Sequence, residues 1–146
     1  MNLKTIKLIS SFNIFLISFP IHFAYKFIPN TLTSIIFPIN ESIFEHMKII
    51  FTSTLIYGLI DYILIKLNNI KTNNFLFQLF FTSFISIIIF LIIYLPIRFI
   101  VGEYLILTLL LLSITYLISS IISYYILTSK SKPFLNIISI PLIIII

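Results

Sequence analysis

The chain has 146 residues, of which 60% are apolar and 9% charged, with a net charge of +5 and no cysteine. An average soluble domain is about 25% charged, so nine basic and four acidic side chains are too few to keep this much apolar surface in water. The missing cysteines exclude disulfides, thiolate chemistry and cysteine-ligated metals, and the basic residues fall singly or in pairs at the edges of apolar runs, which excludes a nucleic-acid surface and fits membrane anchors.

The first apolar run, residues 6–25, matches the roughly 20 residues needed to cross the hydrocarbon core. Lys4 and Lys7 precede it as in a signal peptide, but His22, Phe23 and Tyr25 stand where a cleavage site needs small residues. The spacing predicts a retained first helix, kinked near its far end by Pro20. Residues 26–40 hold Pro29, Asn30, Thr31, Thr33, Ser34 and Pro38, which predicts a loop or a short interfacial helix. A second span covers 49–67 and continues a helix begun near Ser42. A polar turn with Lys66, Asn68, Asn69, Lys71, Asn73 and Asn74 leads to the third span, 75–95. Pro96, Arg98, Gly102 and Glu103 mark the next turn, and the fourth span covers 104–127. Lys130, Ser131, Lys132 and Pro133 follow. The last run, 134–146, carries Pro141 and is too short to span, so it is expected to be either truncated or re-entrant.

The expected fold is therefore all-α, a single polytopic transmembrane helix bundle with four spans and a short fifth segment, its obligatory partner the lipid bilayer. With the N-terminus in the cytoplasm, Lys4, Lys7, Lys66, Lys71, Lys130 and Lys132 lie inside, and Lys26, Lys48 and Arg98 outside. That distribution favours a multi-pass cell-membrane protein with a cytoplasmic N-terminus.

Three of the four acidic residues and both histidines then collect on the outer side: His22, Glu41, Glu45, His46 and Glu103. Two readings of 37–48 stand side by side. Ser42 and Glu45 have the S-x-x-E spacing of a capping box, and acidic residues suit a helix N-terminus. Alternatively, Glu41 and Glu45 are i, i+4 neighbours on one helix face, with His46 beside them and His22 approaching from the first helix. Carboxylates and imidazoles together suit Zn²⁺ or another first-row divalent metal, or the handling of protons or cations, although the H-E-x-x-H spacing is missing. Asp61 breaks the one-sided pattern, sitting about 9 Å along the second helix from Leu67. A carboxylate at that depth costs at least ~2.5–3.5 kcal/mol and faces a partner: tyrosine, Ser or Thr hydroxyls, or Lys66, unless it is a relay or ion-coordinating group. The Ser and Thr residues within the spans read as helix-packing residues, and none stands in a nucleophilic triad.

The stretch from Phe37 to Lys48, F-P-I-N-E-S-I-F-E-H-M-K, resembles the N-E-S-V-W-E-H-L-K signature of an uncharacterised bacterial membrane protein family, domain of unknown function 6512. The I-H-F-A-Y stretch at Ile21–Tyr25 and the L-I-Y-G-L-I-D-Y stretch at Leu55–Tyr62 are also similar. Phe44 stands where that family has Trp, and Asp61 where it has Glu. The resemblance implies a small polytopic membrane protein without an assigned activity, emphasises Asn40, Glu41, Ser42, Glu45 and His46, and implies a polar tail beyond residue 146. The leading functional expectation is a non-enzymatic membrane component, structural, sensory or transport-related, without a cofactor and with the outer polar cluster His22, Asn40, Glu41, Ser42, Glu45 and His46, plus Asp61. The alternative is a metal-assisted hydrolase at the outer surface, with Glu41, Glu45, His46 and His22 as ligands or base.

Overall fold

The computed structural model describes the backbone of residues 1–145 and the side chains of residues 1–141. The described chain is all-helical: α1 (Leu3–Phe27), α2 (Thr31–Ile36), α3 (Ile43–Leu67), α4 (Phe75–Val101), α5 (Leu105–Thr128) and α6 (Pro133–Ile145). α1, α3, α4 and α5 are long and apolar enough to cross a membrane.

α1 and α5 each bury one stripe, and α3 buries a broader face. In α1 the stripe runs Ile6, Ser10, Ile14, Ser18 and Ile21; in α5 it runs Leu111, Thr115, Ser119, Ser123 and Leu127. Residues three or four apart stack on one helix face, and small hydroxyl residues there let neighbouring backbones approach closely. Large apolar residues such as Leu8, Phe12, Ile92 and Phe99 point outward, the inverse of a soluble bundle and the arrangement lipid allows. α1 packs against α3 and α5, and α4 packs against the same two helices, so the four close into a ring; α6 lies against α4.

The bundle has two ends. At the N-terminal face, asparagines knit the turns together. Asn74 donates to the carbonyl of Lys130 and to Ser129 Oγ, and its own Oδ1 accepts from the Lys132 amide. Asn136 of α6 accepts the Phe77 amide, satisfying one of the donors left open at the start of α4. Asn69 and Asn74 adopt positive φ, which asparagine tolerates better than most residues. At the opposite face, α2 lies across the link between α1 and α3, capped reciprocally by Asn30 and Thr33. Thr52 Oγ1 donates to the Ile36 carbonyl and ties this short helix to α3.

The interior is layered. An apolar cluster of Leu3, Ile6, Ile65 and Leu127 closes the N-terminal end. A polar layer follows, and beyond it Ile14, Ile50, Tyr57, Phe90, Leu111 and Tyr116 form the central core.

One feature departs from the sequence expectations. Pro96 and Arg98, expected in the turn after the third span, lie inside α4, which ends only at Gly102. Proline removes one amide, but in lipid a helix remains the way to satisfy its flanking backbone groups. Gly102 has φ of 92°, a conformation that suits glycine and ends the helix. The final run forms α6, thirteen residues with Pro141 inside it; Ile146 lies outside the described residues.

Candidate functional site

The connection into α3 is held by a chain of short polar links. Asn40 Oδ1 accepts the Ser42 amide at 2.9 Å. Ser42 Oγ accepts the Glu45 amide at 3.4 Å and caps the helix. The Glu45 carboxylate turns back to accept the Ile39 amide at 2.8 Å and Lys48 Nζ at 2.9 Å. Lys48 in turn donates to the Ser34 carbonyl of α2. Partial burial opposes ionisation of Glu45, which lies in the first turn ahead of the apolar run, but the Ile39 amide and the Lys48 ammonium outweigh it and hold its carboxyl below the usual carboxylate range.

This corrects two details of the sequence reading. The capping box is half formed: Ser42 caps the helix, but the Ser42 amide goes to Asn40 and Glu45 reaches Ile39 instead. Glu41 and Glu45 do not share a helix face, because α3 starts at Ile43 and Glu41 belongs to the preceding turn.

Glu41 is released toward the histidines as a result. Its Oε1 lies 3.4 Å from His22 Nε2 and its Oε2 lies 3.7 Å from His46 Nε2. One ligand-capable atom from each of His22, Glu41 and His46 falls within 4.8 Å of the others. The two imidazole rings are 5.8 Å apart by centroid, and His22 is braced edge-on by Phe23. His46 Nδ1 sits 2.9 Å from the Ser42 carbonyl. A carbonyl can only accept, so neutral His46 keeps its proton on Nδ1 and presents the Nε2 lone pair toward Glu41. A second partner on the far ring nitrogen is the usual way a ligating histidine is oriented. The histidine side chains are mostly buried and that of Glu41 is 71% exposed, so the group opens toward the surrounding medium on the Glu41 side.

Asp61 belongs to a separate place, about 22 Å along α3 from His46 at 1.5 Å per residue. Its Oδ2 meets Lys7 Nζ at 2.5 Å and its Oδ1 accepts the Ser10 hydroxyl at 2.5 Å. The partner is thus not Lys66 or a tyrosine. Lys7, grouped by sequence with the surface lysines of the cytoplasmic side, is 5% exposed. A signal for this was present: Lys7 is in phase with Ser10, Ile14 and Ser18 on the face that packs. Around the pair, the oxygens Gln78 Oε1, Ser119 Oγ, Ser120 Oγ and Ser123 Oγ are buried without a hydrogen-bond partner among the described residues. All four residues line one small cavity beside Lys7 and Asp61, about 10 Å³ in volume, close to the size that admits a single water.

Comparison with curated proteins and with solved structures returns no match. The model of a family of unknown function, DUF6512, matches residues 2–146, and so takes in all six helices, the His22–Glu41–His46 group and the Lys7–Asp61 pair. The chain belongs to this family of unknown function.

Proposed function

We propose that the protein is a non-enzymatic component of the cell membrane that binds a first-row divalent metal ion, Zn²⁺ foremost, through His22, Glu41 and His46 on its outer side. The observation that carries this reading is the convergence of three donors from α1, the pre-α3 turn and α3. A tetrahedral zinc with 2.0–2.1 Å bonds sets its ligand atoms about 3.3–3.4 Å apart. One donor atom from each of the three residues lies within 4.8 Å of the others, so the side chains have to draw together around the ion to reach that geometry. Two imidazoles and one carboxylate are a donor set that zinc accepts readily, with a fourth position left for water or a partner's ligand.

A catalytic role is less well supported. A metal-assisted hydrolase needs a base beside the metal-bound water, and Glu45, the next carboxylate along the chain, is committed to Ile39 and Lys48. Passage of the ion through the bundle is also less well supported, because the apolar core around Ile14, Ile50, Tyr57 and Tyr116 lies between this group and the Lys7–Asp61 layer. A sensory or structural role at the surface fits better. The orientation proposed is N-terminus in the cytoplasm. With Lys7 removed from the surface set, Lys4, Lys66, Lys71, Lys130 and Lys132 still outnumber Lys26, Lys48 and Arg98 across the bundle.

Calorimetric titration of the detergent-solubilised full chain with zinc tests the proposal. One ion per chain is expected, lost in His46→Ala and His22→Ala and retained in Glu45→Gln. A chain that takes up no zinc, or whose uptake ignores both histidines, contradicts it.

A further inference from the structure

Between α1 and α5, at the N-terminal face, runs a groove of about 650 Å³. Its walls are Leu8 from α1 and Leu117 and Ile121 from α5, all three exposed on the outside of the bundle. Lys4 and Tyr125 line it as well. No acidic residue lines it, and Lys4 has no carboxylate partner among the described residues. The one other cation in the wall, Lys7, is matched by Asp61, so Lys4 supplies the net positive charge.

Apolar walls and one unmatched cation together describe an amphiphile with an anionic head. The groove faces lipid along its length, so the bilayer itself supplies such a molecule.

We infer that the α1–α5 groove is a binding site for one acidic phospholipid from the leaflet at the N-terminal face, its head held by Lys4 and an acyl chain lying along Leu8, Leu117 and Ile121. This is independent of the metal proposal and uses none of its residues.

The test is native mass spectrometry of the full chain after equilibration with vesicles of equal phosphatidylglycerol and phosphatidylcholine. The wild-type chain retains one phosphatidylglycerol in preference to phosphatidylcholine. Lys4→Gln lowers that preference about fivefold, what one lysine near an acidic leaflet is worth, whereas Lys130→Gln, a lysine of the same face outside the groove, leaves it unchanged. Ile121→Trp, which fills the groove, reduces retention of both lipids. Excess inorganic phosphate leaves the bound lipid in place. Equal retention of the two lipids, or equal effects of Lys4→Gln and Lys130→Gln, overturns the inference; displacement by inorganic phosphate assigns the site to a free anion and overturns it as well.

Discussion

Lys7 Nζ meets Asp61 Oδ2 at 2.5 Å across the α1–α3 contact, with side chains only 6% and 2% exposed. Neither charge is affordable alone at that depth. An isolated carboxylate or ammonium in the span is strongly disfavoured, while the pair, with Ser10 as a further donor to Asp61, is satisfied. The relationship fixes which face of α1 meets α3, and it lies where the sequence shows only a lysine near the start of an apolar run.

Removing one partner is expected to hurt more than removing both. Lys7→Met leaves Asp61 buried without its cation, and the loss expected is about 3–5 kcal/mol. The double variant Lys7→Met with Asp61→Leu is expected to recover most of it, because apolar replacements carry no desolvation cost. Unfolding midpoints in matched micelles read this directly. A double variant as unstable as the single one would show that the pair is not the coupling.

At Gly58, α3 packs closely against Leu79 of α4. A Cβ added there would sit 2.5 Å from Leu79 Cδ1, and Leu79 is itself buried. Gly58→Val is therefore expected to cost about 1–3 kcal/mol, as overpacking does. Gly58→Ala should cost less, since only the end of the Leu79 side chain has to turn. Unfolding midpoints of the two variants should rank in that order.

Asn40 binds no metal in this account, yet it holds the turn that aims Glu41. Asn40→Ala is expected to cost about 1 kcal/mol of local stability, comparable to losing a cap. Zinc affinity should fall about 10–100-fold, as for loss of a supporting partner, with stoichiometry unchanged. Calorimetric titration separates that pattern from the loss of sites expected for His46→Ala.

Glu45 links Ile39 to Lys48, and its carboxyl is held below the ordinary carboxylate range. A depressed folded-state value contributes stability above the unfolded value, near pH 4.3 for glutamate. That contribution is lost as pH falls through the lowered folded value. Hydrogen exchange at the Ile39 amide is thus expected to be slow at neutral pH. Relative to neighbouring amides, its protection should fall on acidification and in Glu45→Gln. Protection indifferent to both would remove Glu45 from the frame.

The spans were legible because hydropathy and length act residue by residue, and lipid leaves few other folds for such runs. The end of α4 was less so: Pro96 reads locally as a terminator, and only the membrane makes continuing the helix the better solution. His22, Glu41 and His46 could be named as neighbours across one face, but the contrast between Glu41 and Glu45 could not. Both look alike in sequence, and the difference arises from a turn in which Asn40 takes the amide that Glu45 would otherwise cap. Lys7 shows the opposite failure. A lysine ahead of an apolar run serves equally as an interfacial anchor or as half of a buried pair, and the 54-residue separation from Asp61 hides the partner. Phase with Ser10 and Ile14 was the available clue.

The most direct test of the proposed role is the zinc K-edge absorption spectrum of the loaded full chain. The account predicts two imidazole ligands at about 2.0–2.1 Å with an oxygen donor at about 2.0–2.2 Å, and loss of one imidazole signature in His46→Ala. A shell of oxygen donors without imidazole scattering, unchanged by that substitution, would contradict it.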